Sequence, residues 1–126
     1  MAIHELAGEM GGAVLFRAEL MKGEDPAVVK LTGELDLLAA PQLEVCLAAL
    51  RAEGAHDIRL DLSGLSFCDS SGISALLKAS KQCRKSGGHL SIASPQAAVR
   101  RVLEITGLLD YFSEAKPEDD GGGGKP

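Results

Sequence analysis

Asp69-Ser70-Ser71-Gly72 is the stretch of this chain where residue types and spacing converge on a chemistry. Two hydroxyls follow a carboxylate, and a helical stripe begins at once, with Ile73, Leu76, Leu77 and Ser80 at the spacing of one helix face. Side-chain oxygens at a helix start satisfy N–H groups that the helix leaves unpaired, which accounts for both serines as caps. The same geometry suits a second use. A phosphate carried by a serine at a helix N-terminus meets free N–H donors and the positive end of the helix dipole. It would also bring roughly −1.5 to −2 charges to the side of Asp69. A capped loop that accepts a phosphate works as a charge switch.

Other chemistries find less support. Ser70 lacks the G-x-S-x-G setting of a hydrolase nucleophile, and its neighbour is a carboxylate where a nucleophilic serine needs an imidazole base. The three histidines, His4, His56 and His89, are scattered. The glycine clusters at 86–88 and 121–124 do not match a phosphate-binding loop. Glu34 and Asp36 flank Leu35 and would face one side of a strand, as a metal or acid–base pair requires, but a solvated polar loop is the simpler reading. Cys46, Cys68 and Cys83 are odd in number and contain no C-x-x-C pair, which predicts buried reduced thiols in a cytoplasmic protein. No enzyme activity, metal or cofactor is expected. Lys78, Lys81, Arg84 and Lys85 read as a solvated helix face, with contact to an acidic partner as a minor use.

The elements that must position Ser70 follow from periodicity. At 126 residues the chain has room for one domain. Residues 1–12 read as a loose lead-in ending in Gly11-Gly12. Residues 13–20 and 27–31 read as a hairpin around the turn signals Gly23, Asp25 and Pro26. Residues 32–36 leave the sheet, with a short extended piece at 34–36. Pro41 opens a helix whose stripe is Leu43, Cys46, Leu47 and Leu50, and Gly54 ends it. Alternation over 57–62 gives a strand, and 63–68 a loop. After the Ser70 helix, Gly87-Gly88 leads to a strand over 89–93. Ser94 as cap and Pro95 at the first position start a helix through Val99, Val102 and Leu103 that Gly107 stops. Residues 108–112 are expected to add a last short strand. The polar, glycine-rich stretch 114–126 is expected to be a disordered tail. Strand and helix alternate after the hairpin, which predicts an α/β fold with a mixed sheet of four to five strands and right-handed crossovers.

Composition removes several functions. Three Phe, one Tyr and no Trp leave few platforms for stacking bases, and a net charge of −5 disfavours a phosphate-backbone ligand, so no direct nucleic-acid partner is expected. The longest uncharged run, Ser86–Val99, falls short of the ~20 residues of a spanning helix. No basic segment followed by an apolar run marks a secretory signal.

Three segments resemble the hallmarks of the STAS domain family, the sulfate transporter and anti-sigma factor antagonist family. They are Leu31-Thr32-Gly33-Glu34-Leu35-Asp36, the run Leu60 to Gly72, and Ser94-Pro95 with Ile105-Thr106-Gly107-Leu108. The resemblance runs from about Ala13 to Phe112, and a domain of 13–113 follows from it. A small free-standing member with Asp-Ser-Ser-Gly looks like a bacterial anti-sigma factor antagonist. Such a protein, unphosphorylated, binds an anti-sigma factor that is also a serine kinase and so frees a sigma factor. Phosphorylation releases it, and a serine phosphatase resets it. The resemblance makes Ser70 the acceptor and Asp69, Ser71 and Gly72 its flanking residues, with Gly72 allowing close approach of a partner's backbone. It places Glu34, Asp36, Leu37, Ile73, Ser74 and Leu77 in the partner surface. Two departures stand out. Leu37-Leu38-Ala39-Ala40 is more apolar than is common in such loops. The family's C-terminal helix looks missing or reduced, which would leave Leu108, Leu109, Tyr111 and Phe112 partly exposed for a homodimer or another partner. The alternatives are a STAS accessory subunit of a membrane transporter, whose phosphoacceptor would be superfluous, and a stress-signalling scaffold.

Overall fold

The structure, a computed structural model, describes residues 5–10, 13–23 and 25–113. The chain runs β1 (Glu5–Met10), β2 (Ala13–Lys22), β3 (Ala27–Leu35), α1 (Ala40–Ala52), β4 (Ile58–Cys68), α2 (Ser70–Lys85), β5 (Leu90–Ala93), α3 (Ala97–Ile105) and α4 (Leu108–Ser113). One mixed sheet has the order β1-β2-β3-β4-β5. β1–β2 and β2–β3 pair antiparallel, and β3–β4 and β4–β5 pair parallel. The expected α/β mixed sheet is therefore present, with α1 and α2 as the crossovers that parallel neighbours require.

Period-2 alternation decides which face is buried. Ala27 and Val29 of β3 stand in register with Ile58 and Leu60 of β4, Leu90 and Ile92 of β5 continue the row, and Leu31 is buried at the end of the regular pairing. Helix residues Leu43, Leu47, Leu76, Val99 and Leu103 close on them in one aliphatic core.

Five readings are corrected. The lead-in contains β1, because β2 offers an open edge of backbone N–H and C=O groups, and pairing with it needs no apolar pattern. β3 continues to Leu35 instead of leaving the sheet after Leu31. β4 continues through the supposed loop 63–68: the register with β3 slips between Lys30/Thr32, and this irregularity breaks the alternation while leaving both Leu62 and Leu65 buried. Gly64 sits at the slip, where a Cβ would meet the Thr32 hydroxyl at 2.9 Å and the Leu31 carbonyl at 3.0 Å. Ser94 does not cap α3; it takes a left-handed φ of 57°, Gln96 stands at the N-cap position without a side-chain cap bond, and the helix starts at Ala97. The residue before proline is pushed out of the helical region, so Ser94-Pro95 makes a corner first.

The fifth correction concerns residues 108–112, which form the helix α4 instead of a strand. A short apolar run fits either element, and packing arbitrates. α4 spans Leu108–Ser113. It buries Phe112 completely and holds Leu108, Leu109 and Tyr111 against the core, so the expected apolar exposure is largely covered. Residues 114–126 lie outside the described residues.

Candidate functional site

β3 and β4 are parallel, so both end at the same edge of the sheet, with Leu35 opposite Cys68. Each strand passes into its helix there, and each passage is made by an aspartate. Asp36 Oδ1 accepts the amides of Leu38 at 3.1 Å and Ala39 at 3.0 Å, closing the turn into α1. Asp69 Oδ1 accepts the amide of Gly72 at 3.0 Å, and the Asp69 carbonyl accepts Ile73 N–H at 2.9 Å. Asp69 is thus the N-cap of α2, in extended backbone at φ −101° and ψ −170°.

This corrects the assignment of the cap to the serine hydroxyls. The carboxylate does that work, and Ser70 occupies the first helical position with its side chain exposed and without a hydrogen-bond partner among the described residues. Ser71 is half-buried. Gly72 is buried, and a Cβ there would stand 2.6 Å from the Leu35 carbonyl and 2.8 Å from Cys68 Sγ. Its close approach is to the backbone of β3.

The structure divides the other anticipated residues. Glu34 is exposed, and the Asp36 carboxylate is held by its own turn, so the two do not act as a pair. Leu37 is 70% exposed and Ser74 is exposed. Ile73 is a core residue, which takes its side chain off the surface, and Leu77 is half-buried. Leu38, 62% exposed beside Leu37, belongs to the apolar stretch 37–40 noted in the sequence. Phe67, 47% exposed in register with Glu34, was not singled out, because a second slip, between Gly33 and Glu34, sets its phase.

Electrostatics around the helix start are simple. Asp69 is the one charged residue at the first turn of α2, and the row Lys78, Lys81, Arg84 and Lys85 lies two turns and more along it. Lys78 Nζ is 3.6 Å from Glu44 of α1, and the Arg84 guanidinium sits 4.7 Å above the Tyr111 ring. Beneath the site, burial and then the charge of Asp69 push the Cys68 thiol up to about 12. Burial pushes Cys46 up to about 11 and also raises Cys83. A nucleophilic cysteine needs the opposite shift. Among the described residues no group of three or more His, Cys, Asp or Glu side chains is placed to hold a metal ion, and no helix is long and apolar enough to cross a membrane.

The STAS domain family model matches residues 17–120. An anti-sigma-B factor antagonist of Staphylococcus epidermidis is 34% identical over 94 residues, 75% of this chain and 87% of that protein. The anti-sigma factor antagonist SpoIIAA in its unphosphorylated form superposes with a TM-score of 0.66 at 28% identity, covering 82% of this chain and 91% of that one. The Bacillus cell fate determinant SpoIIAA in its phosphorylated form superposes with a TM-score of 0.59 at 27% identity, covering 84% and 96%.

Proposed function

Because the chain belongs to the STAS domain family, we propose that it is an anti-sigma factor antagonist switched by phosphorylation of Ser70. Unphosphorylated, it binds an anti-sigma factor that is also a serine kinase and so releases a sigma factor. Transfer of a phosphoryl group to the Ser70 hydroxyl ends the contact, and a serine phosphatase restores it.

The observation that carries this reading is the division of labour between Asp69 and Ser70. Asp69 caps α2, so the Ser70 hydroxyl is exposed and not engaged in holding the fold. A kinase can reach it without opening the domain, and the phosphate alters the surface without removing a structural bond. Its charge would stand beside the Asp69 carboxylate, at the sheet edge where Leu37, Leu38 and Phe67 are exposed. Like charge repels, and an apolar contact over a dianion is costly to desolvate. Both effects oppose a partner that had docked on the neutral surface. The resemblance to SpoIIAA, described in both unphosphorylated and phosphorylated forms, supports the same reading.

The deciding experiment is incubation of the chain with ATP and each anti-sigma factor kinase encoded by its source organism, followed by intact-mass and peptide-mapping mass spectrometry. One phosphate on Ser70 from one kinase, with loss of the complex, is the expected result. Stable binding without phosphate would leave an antagonist that is not switched at Ser70.

A further inference from the structure

α1 is apolar on both of its sides. Leu43, Cys46, Leu47 and Leu50 face the core, while Pro41, Val45, Ala48 and Ala52 on the opposite side are exposed, Val45 to 61%. A helix that is apolar all round is the mark of one covered all round, and here only one side is covered. Leu38, exposed in the turn that leads into α1, heads the outer line. From Leu38 the line advances by three, four, three and four residues, the heptad spacing at which one helix meets another. In that repeat Glu44 and Arg51 fall together on one flank of the seam.

That flank opens onto α2. A cleft of about 200 Å³ between the helices is lined by Glu44, Ala48 and Arg51 of α1 and by Lys78, Ala79 and Gln82 of α2. Its α2 wall is cationic: Lys78, Lys81 and Lys85 are exposed at three- and four-residue spacing, and α2 has no acidic residue. Glu44 answers Lys78 at 3.6 Å, but among the described residues neither Lys81 nor Lys85 has a carboxylate in ion-pair range. Like charges at that spacing repel, so the wall favours an anionic counterpart. A second copy would bring the same excess of cations to the same patch. An anionic membrane is disfavoured by the chain's net charge of −5 and by the recess between the helices, which a flat surface would leave unfilled.

We propose that the groove between the outer seam of α1 and the lysine wall of α2 is the docking site for an amphipathic helix of a protein partner. The partner helix carries aliphatic residues at heptad spacing over Val45, Ala48 and Ala52, and Asp or Glu along the edge that faces Lys81 and Lys85. Ala48 and Ala52 are short, so larger side chains of the partner fill the space above them. Pro41 to Ala52 rises about 16–17 Å, a length that about three turns of a partner helix span. The apolar seam supplies the affinity, and the lysines select the partner and its orientation. The lysine wall begins two turns beyond Ser70, and the inference does not rest on phosphorylation there.

The probe is a stapled helical peptide with Leu at heptad spacing and Glu along one edge, titrated into the isotope-labelled full chain and followed by amide NMR shifts. Shifts are expected in α1 from Val45 to Ala52 and in α2 from Lys78 to Lys85. The same peptide with Lys for each Glu should bind about tenfold more weakly, a preference that shrinks about threefold or more in ~0.5 M salt. K81E/K85E should reverse the preference, and V45E should abolish binding of the Glu-edged peptide. All three positions are exposed, so thermal midpoints should hold and a loss of binding is not a loss of fold. Equal binding of the two peptides, no binding of the Glu-edged one, or shifts confined to Leu37 and Phe67 overturns the proposal. Concentration-dependent shifts at Val45 and Ala48 without peptide would overturn it in favour of a second copy. Cosedimentation with phosphatidylglycerol–phosphatidylcholine vesicles, lost in V45E, would overturn it in favour of a membrane.

Discussion

The carbonyl oxygen of Leu35, at the end of β3, accepts the amide N–H of Asp69, at the head of α2, at 3.2 Å. This bond joins the two strand-to-helix passages across the sheet edge. It places the turn that exposes Leu37 and Leu38 directly beside the helix start that exposes Ser70. Gly72 packs onto the same carbonyl, so both passages converge on one backbone oxygen.

That packing separates two expectations for Gly72→Ala. Helix propensity alone favours alanine by about 1 kcal/mol. The 2.6 Å approach to a backbone oxygen, which cannot rotate away, opposes it. Overpacking of this kind costs about 1–3 kcal/mol. Urea denaturation is expected to show a lower midpoint for the variant; an equal or higher one would mean that α2 shifts freely on β3.

Capping by Asp69 predicts an asymmetry between neighbours. Asp69→Ala should lose about 1 kcal/mol of unfolding free energy, and Asp69→Asn much less. Ser70→Ala, at an exposed position without a side-chain bond, should stay within about 0.5 kcal/mol of the parent. Equilibrium unfolding of the three variants checks this directly. A larger loss for Ser70→Ala than for Asp69→Ala would return the cap to the serine.

Binding separates the same variants differently. Ser70→Ala should retain the anti-sigma factor kinase and Ser70→Asp should weaken it, by titration calorimetry at equal protein stability. Equal affinities would argue against a charge switch at this residue.

The exposed apolar residues at the sheet edge should matter to the partner and not to the fold. Leu37→Ser, Leu38→Ser and Phe67→Ser remove exposed side chains, so thermal midpoints should change little. Interface anchors of this size typically contribute 1–2 kcal/mol or more, so about a tenfold rise in Kd is expected for at least one of the three.

The cysteines give a pH signature. Their folded pKa values are raised from an ordinary 9.0, to about 11 for Cys46 and about 12 for Cys68. The neutral thiol is the form that folding favours, so its contribution is complete below pH 9 and is lost as pH rises through 11 and 12. Alkylation by iodoacetamide at pH 8 should be slow for all three thiols in the native protein and fast in denaturant. Rapid native labelling of Cys68 would mean that the Ser70 loop opens readily.

What the amino-acid order determined by itself was the part governed by local rules. Alternation at 58–62 and the stripe Leu43–Leu50 settled strand and helix, and Asp69-Ser70-Ser71-Gly72 marked a helix start with two hydroxyls beside a carboxylate. Those signals are periodic or depend on neighbours three residues apart, so they are visible without the fold. The tertiary structure decided the rest. β1 exists because β2 has an open edge, residues 63–68 stay in the sheet because two register slips each absorb a residue, and residues 108–113 are helical because the core next to them takes a helix face. It also decided roles within the site. Asp69 and not a serine caps α2, Ile73 belongs to the core, and Phe67 belongs to the surface. The cap is a bond between residues three apart that the string Asp69-Ser70-Ser71-Gly72 left open to three side-chain acceptors, whereas the places of Ile73 and Phe67 turn on how β3, β4 and α2 pack, a relation between residues more than thirty apart that no local pattern encodes.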